Sequence, residues 1–484
     1  LTIALDRFEL PNFRKATRLA GSSSDMAIIA TQPANERPVA AESTRVGFYP
    51  WYVIGILMLI YTSSFIDRTI ISLLVGPIRA DLHITDTQMS FVSGISFAIF
   101  YTVLGIPIGR LADRYSRRVI IMVGVTLWSA MTMACGLANS FSQLFLARVG
   151  VGVGEASLTP SAYSLIPDYF PKDKLARAFG VYNMGIGFGS GLALFLGGLV
   201  IGVVQHAPPV ILPVLGLLKP WQVVFVAVSA PGLLLLILML TVREPPRRDM
   251  IATEAGRKPA SLPISTVRKY LWSIRGAYIP LVAAYAMTGL ENFGFAAWVP
   301  SSFIRSYGWT AAEAGQRYGL AVLVTGMSGA VVGGWFADRL TRKGQPTAYV
   351  RTAIYACACV LPCAVFAPLA PSGVLSLLLF AGMSFFNSCW LAVFGGSLQL
   401  IVPNQMRGQT TALTLLITST VGFGLGPIAI ALVTDKFFHD DLALRYSLAV
   451  VAAIAVPLAI LFFRLSEKSF GRAVEDAQAW ISTD

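Results

Sequence analysis

Five charged side chains, Asp67, Arg68, Arg148, Glu155 and Glu291, stand inside long apolar stretches of the sequence. At the centre of a bilayer each costs about 2.5–3.5 kcal/mol on insertion scales, so each needs a partner or a wet cavity. Arginine keeps its proton at any working pH, whereas a carboxyl group can exchange one. The set therefore reads as fixed positive charges, Arg68 and Arg148, beside two carboxyl switches, Asp67 and Glu155. Burial favours the protonated carboxyl and a nearby arginine opposes it, so a proton changes which groups pair. That chemistry is proton coupling. A static ion pair is the alternative, and sodium stays open as the coupling ion.

Spacing supports the grouping. Asp67 lies sixteen residues beyond Trp51, about 24 Å along a helix. Arg148 lies six residues into its own run, about 9 Å from the opposite end. Together these depths come close to the hydrocarbon thickness of about 30 Å, which puts both residues at one level. Arg148 and Glu155 are two helical turns apart and share a face.

The elements that must position these groups are membrane helices. Of 484 residues, 55% are apolar and 13% charged, about half the charged share of a soluble domain. Disorder, collagen, coiled coil and disulfide scaffolds are excluded. Twelve apolar runs are long enough for a helix through a bilayer core: helices 1–6 at 50–75, 87–111, 118–138, 142–166, 175–203 and 220–243, and helices 7–12 at 277–303, 311–337, 348–370, 373–402, 409–434 and 443–465. The expected fold is an all-α membrane protein. Alternation over about ten residues, the mark of a membrane β-barrel, is missing.

Residues 1–25, ending in Gly21, Ser22, Ser23, Ser24 and Asp25, read as a foreign leader before a native start at Met26. The remaining parts are an N-terminal segment over 26–49, a six-helix half over 50–243, a basic linker over 244–276, a second half over 277–466 and a tail over 467–484. The net charge of +12 reflects where arginine and lysine sit rather than nucleic-acid binding. About nineteen fall in one set of alternate loops and about four in the other. By the positive-inside rule the basic side, with both termini and the linker, faces the cytoplasm. The five cysteines lie in apolar runs and the three histidines between them; neither set has metal-site spacing, and no metal or cofactor is expected.

A repeat is visible. Gly109, Asp113, Arg114, Arg117 and Arg118 after helix 2 recur as Gly334, Asp338, Arg339, Arg342 and Lys343 after helix 8, an offset of 225. Thr85 maps to Thr310 and Asp67 to Asn292 at that offset. Two homologous halves around a midplane site are a transporter plan. Walker, H-E-x-x-H and G-x-S-x-G motifs do not occur, so an enzyme is not expected.

The duplicated loop and the six-plus-six plan resemble the major facilitator superfamily. Phe65, Asp67 and Arg68 in helix 1, the run from Arg148 to Ser157 in helix 4, and Pro167 to Pro171 with Arg177 beyond look like its spinster branch. The anion–cation symporter branch shares the helix 1 Asp-Arg pair and the helix 4 Arg and Glu. The resemblance implies alternating access, with Gly109, Asp113, Arg114, Arg117, Arg118, Arg177, Asp338 and Arg339 as a latch between the halves. A positive-inside anchor is the other reading of that loop. The spinster resemblance also implies a lysophospholipid or sphingolipid cargo, a bacterial inner membrane and a monomer.

The second half is sparsely charged. Glu291, Asn292, Phe293, Asn387, Trp390, Thr414 and Thr418, with Phe97, Phe100 and Tyr101 from the first half, are expected to line an amphipathic-substrate cavity; helix packing is the alternative. Glycines at 185, 187, 189 and 191 and at 422, 424 and 426 allow close helix approach. Helix 5 lacks the proline of the antiporter signature, whereas Pro427 follows the helix 11 set, so the direction of transport stays open. A small-organic-anion transporter, a lipid scramblase and a sensor are the competing readings.

Overall fold

In the computed structural model of the chain, the described residues are 47–171, 174–206, 210–212, 216–246, 263–403, 406–481. The expected leader 1–25, most of the N-terminal segment, and linker residues 247–262 lie outside them. Among the described residues, ten helical stretches are long and apolar enough to cross a membrane, from Phe48–Leu73 to Asp441–Trp480. The other two expected spans are helical as well. Helix 4 is two pieces, Phe141–Glu155 and Leu158–Tyr169. Helix 7 is one 33-residue helix, Arg275–Tyr307, with Glu291 in its middle.

Local chemistry sets the ends. Thr85 and Thr310, matched by the repeat, each open a helix with a reciprocal capping box, to Gln88 and to Glu313 respectively. Each satisfies two main-chain donors that the helix cannot. Ser116, Ser140 and Ser372 cap helices 3, 4 and 10. His83 and His439 close short far-end helices in the left-handed conformation, φ 52° and 54°, so two of the three loop histidines have a backbone role.

Further elements lie outside the expected spans. A short helix, Val75–Leu82, bridges helices 1 and 2. An antiparallel hairpin of β1 (Val210–Leu212) and β2 (Gly216–Leu218) precedes helix 6. An amphipathic helix, Ile264–Ser273, occupies part of the expected linker. It is held where Tyr270 donates to the Ile401 carbonyl at 2.9 Å and packs edge-on to Trp480. Helix 12 continues to Ile481, through the stretch expected to be a tail.

Each half packs internally, helix 1 on 5 and 3 on 4 in the first, 7 on 12 and 8 on 10 in the second. The halves meet where helix 5 crosses 8, helix 2 crosses 11 and helix 1 ends against 7. At the 5–8 crossing the backbones touch. A methyl group at Gly198 would stand 2.7 Å from the Ala312 carbonyl, and one at Gly315 would stand 2.7 Å from that of Leu194. Small residues are the general means of such contact in membranes. This crossing lies at the end away from the arginine-rich loops, called here the far end.

Candidate functional site

Helix 1 presents Asp67 and Arg68 just before it tightens into a 3-10 turn, Ile70–Leu73. Helix 4 presents Arg148 and, at the break between its two pieces, Glu155. All except Arg68 are about 1–2% exposed. Glycines allow this burial: a methyl at Gly152 would meet the Phe97 carbonyl at 2.9 Å, and one at Gly154 the Trp128 amide at 2.6 Å.

Arg68 Nε donates to Glu155 Oε2 at 2.6 Å. The Arg68 guanidinium also sits within 4.4 Å of the Phe97 ring centre, 4.8 Å of Tyr101, 5.0 Å of Phe65 and 5.8 Å of Phe423. Each ring attracts the cation by about 0.5–2 kcal/mol depending on desolvation. Phe423 belongs to the second half. It is aimed by a π-helical segment of helix 11, Thr420–Leu425, opposite a π-helical turn of helix 2, Phe91–Ile95. The backbones there are close enough that a methyl on Gly94 would stand 2.7 Å from the Phe423 carbonyl. Such turns shift the register of a helix face and recur at functional sites.

Arg148 lies at the level of Asp67, and Nη1 donates to the Asp67 main-chain carbonyl at 3.0 Å. Asp67 is in electrostatic reach of Glu155, Arg148 and Arg68, with Thr132 facing its carboxyl group. Asp67 Oδ1, Arg148 Nε, Glu155 Oε1 and Thr132 Oγ1 are buried without a hydrogen-bond partner. Buried polar atoms left unpaired are rare and call for an explanation such as a proton, an ion or a bound molecule.

The expected cavity residues divide into three groups. Phe97 and Tyr101 stack in the collar around Arg68, and Phe293 stacks on Phe423 at 3.6 Å. Glu291, Asn387 and Trp390 form a separate buried cluster. Thr414 and Thr418 face the second half's own interior: Thr414 pairs with the Tyr278 hydroxyl at 3.1 Å, and Thr418 donates to the Thr414 carbonyl. Asn292 is half-buried. Phe100 is 38% exposed, outside the collar.

The expected latch residues are not joined across the halves among the described residues. Arg114, Arg177, Asp338 and Arg339 are exposed; Arg339 lies over Trp335, Gly109 faces Pro160, and the Asp113 side chain is outside the described residues. Arg117 and Arg118 bond within the first half. Arg117 pairs with Asp168 and, at 2.7 Å, with Glu244. Arg118 Nη2 donates to the Leu240 carbonyl at 2.8 Å. They staple the start of helix 3 to the ends of helices 4 and 6.

Among the described residues, the ion pairs between halves are at the far end, in charged residues outside the expected helix spans. Asp86, fully buried at the start of helix 2, receives both terminal nitrogens of Arg305 from helix 7, at 2.6 and 2.7 Å. Arg79 bridges Asp86 at 3.0 Å and Asp441 at 2.8 Å. Asp435 of helix 11 accepts from the Thr87 amide and hydroxyl, both at 2.7 Å. Bidentate arginine–carboxylate pairs are among the strong polar contacts, so the far end is closed. The local signal was slight: a charge directly after a capping threonine, and an arginine two residues from a helix end.

The sequence profile of the Major Facilitator Superfamily matches residues 57–427. An MFS-type efflux pump of Mycolicibacterium smegmatis is 27% identical over 88% of this chain and 95% of its own length. A hexuronate transporter of Bacillus subtilis is 25% identical over 84% of this chain and 93% of its own. Among solved structures, a bacterial homologue of the human lysosomal transporter Spinster, inward-facing and unoccupied, superposes with a TM-score of 0.71. It is 28% identical and covers 88% of this chain and 97% of that one.

Proposed function

The chain belongs to the major facilitator superfamily and is similar to its spinster branch; from that premise we propose that it is a proton-coupled secondary transporter of an amphipathic lipid-like molecule. The observation that carries the reading is the Arg68–Glu155 pair, held in an aromatic collar to which both halves contribute. A collar of Phe65, Phe97, Tyr101 and Phe423 offers an acyl chain apolar contact, and Arg68 in its centre offers an anionic headgroup a charge.

A cycle follows from these contacts. A proton arriving on Glu155 removes its negative charge, and Arg68 is then held by the rings alone. Asp67, with a buried oxygen open to a proton, neutralises in the same way beside Arg148. Cargo competes for the freed guanidinium, and its contacts with Phe423 and Phe293 draw helix 11 relative to helix 2. The two halves then have two arrangements whose balance protons and cargo both bias. The closed far end, and a basic end with no ion pair between the halves among the described residues, fit a state open toward the basic side, which the positive-inside rule assigns to the cytoplasm. The membrane is a bacterial inner membrane and the working unit a monomer.

A small organic anion is the second reading. Arg148 favours it: Nε is buried and unpartnered, a donor suited to a carboxylate, and a hexuronate transporter is among the relatives.

The test is transport in liposomes under an imposed pH gradient, with a fluorescent lysophosphatidylcholine as probe and Asp67→Asn beside the unaltered chain. Gradient-driven movement lost in the variant, with exchange between equal pools retained, is the expected result. Movement that ignores both gradient and substitution would sink the coupling and leave a scramblase. Uptake of a sugar acid without lipid movement would establish the second reading.

A further inference from the structure

The second half holds a buried carboxyl group that no cation faces among the described residues. Glu291, midway along helix 7, is 1% exposed. Asn387 Nδ2 donates to Glu291 Oε1 at 3.4 Å, long beside the usual 2.7–2.9 Å, roughly, of a charge-assisted bond. Trp390 Nε1 donates to Asn387 Oδ1 at 2.8 Å and so turns the amide nitrogen toward Glu291. The titratable groups in reach are Tyr318 on helix 8 and Cys357 on helix 9. Among the described residues, no arginine, lysine or histidine on the helices packed against helix 7 compensates the carboxylate.

The contrast with the first half is informative. There, each buried carboxyl has an arginine in reach, Glu155 by direct contact and Asp67 through its surroundings. The internal repeat sets Asn292, not Glu291, against Asp67. One residue is a turn of about 100° around a helix, so the second half's carboxyl points into its own bundle rather than at the collar. An isolated carboxylate in such surroundings is far costlier than a paired one, and the group takes a proton instead. A neutral carboxyl needs far less hydrogen bonding than a carboxylate, so one weak amide contact is enough for it.

We propose that Glu291 is a second proton-carrying site, neutral in the state shown, which releases its proton to water when the opposite state hydrates helix 7. The step is a carboxylic acid and a water giving a carboxylate and a hydronium ion, with Asn387 remaining as donor to the anion. The cycle then moves a proton through the second half as well as through the first. This rests on the transporter reading, and its test has one arm that does not.

That arm is infrared difference spectroscopy of the full chain in phosphatidylcholine vesicles, between acid and alkaline buffer, in H2O and D2O. The unaltered protein should show a protonated-carboxyl carbonyl band that shifts in D2O and disappears at alkaline pH. Glu291→Gln, which keeps an acceptor for Asn387, should lack that band. Asp67→Asn should retain it, and Asn387→Leu should move it. Identical spectra for the unaltered chain and Glu291→Gln would overturn the proposal. So would a Glu291-dependent band that neither exchanges nor titrates, since that marks a static acid.

The second arm is the steady accumulation ratio of the lysophosphatidylcholine probe. Loss of one coupled proton should lower it about tenfold per pH unit of gradient, and an unchanged ratio would overturn the second-carrier role. If the unaltered chain moves no probe, the lipid-cargo reading fails while the infrared arm still decides whether Glu291 binds an exchangeable proton.

Discussion

Arg68 satisfies two kinds of partner at once, a carboxylate and a ring collar, and the two are separable. Arg68→Gln leaves Glu155 buried and uncompensated, which should cost about 3–5 kcal/mol and appear as a lower melting temperature. Arg68→Met with Glu155→Leu should recover most of that stability, because an apolar pair of similar volume is often neutral or stabilising. It should nevertheless abolish gradient-driven movement of the probe. Thermal melts and flux measured on the same preparations check both halves of the statement; a double variant that is stable and still coupled would refute it. At this scale the sequence was informative. Asp67, Arg68, Arg148, Glu155 and Glu291 all announced themselves as charges in apolar runs, and all five are buried or collared. Their pairing was not legible. Spacing put Arg148 at the level of Asp67, but the bond it makes there is to the Asp67 main-chain carbonyl; which atom an arginine reaches depends on angles that spacing does not fix.

Helix ends carry the next level of organisation. Glu244, just past helix 6, accepts from the Arg118 amide, from Arg117 and from the Ser116 hydroxyl, so it also closes the N-terminus of helix 3. Burial alone would push its carboxyl up, but these three hydrogen bonds outweigh burial and hold it below the ordinary range. Its contribution to stability is therefore fully present above the unfolded-state value and is lost as pH falls through the lowered folded value. Melting temperature followed downward in pH should drop more steeply for the unaltered chain than for Glu244→Gln, and parallel curves would refute this. Helix spans were legible from composition, and the capping boxes at Thr85 and Thr310 explain why the repeat preserves those threonines. The π-helical turns in helices 2 and 11 were not legible, because a turn widens in response to the neighbour it must fit, and glycine-rich stretches permit several outcomes. The same holds for Phe423: only that turn brings it over a guanidinium of the other half.

Across the whole molecule, asymmetry defines the state. The far end is joined by Asp86–Arg305, Arg79–Asp441 and Thr87–Asp435, and the basic end has no described ion pair between halves. Asp86→Asn should weaken this seal and move the population toward a far-open form. Spin labels on far-end loops of the two halves should then report longer distances, with those on the basic end shorter. Unchanged distances would show that the glycine crossing of helices 5 and 8 suffices alone. The two-half plan was readable from a constant offset of 225, as in Asp113 to Asp338, but the place where the halves are tied was not. The resemblance directed attention to the arginine-rich loops, whereas the ties lie between residues more than two hundred positions apart, such as Asp86 and Arg305. Contacts that distant leave no local pattern.

The composition of that seal has an electrical consequence. In the first half Arg79 and Asp86 cancel; in the second, Arg305 offsets one of Asp435 and Asp441, leaving a single negative charge. Parting the halves separates almost no net charge, and does so at the rim, where little of the membrane voltage falls. Voltage acts on charge in proportion to the field it crosses, about 2.3 kcal/mol per charge per 100 mV over the full thickness. A membrane potential therefore acts chiefly on what crosses the middle of the protein, its protons and cargo, and scarcely on the gate.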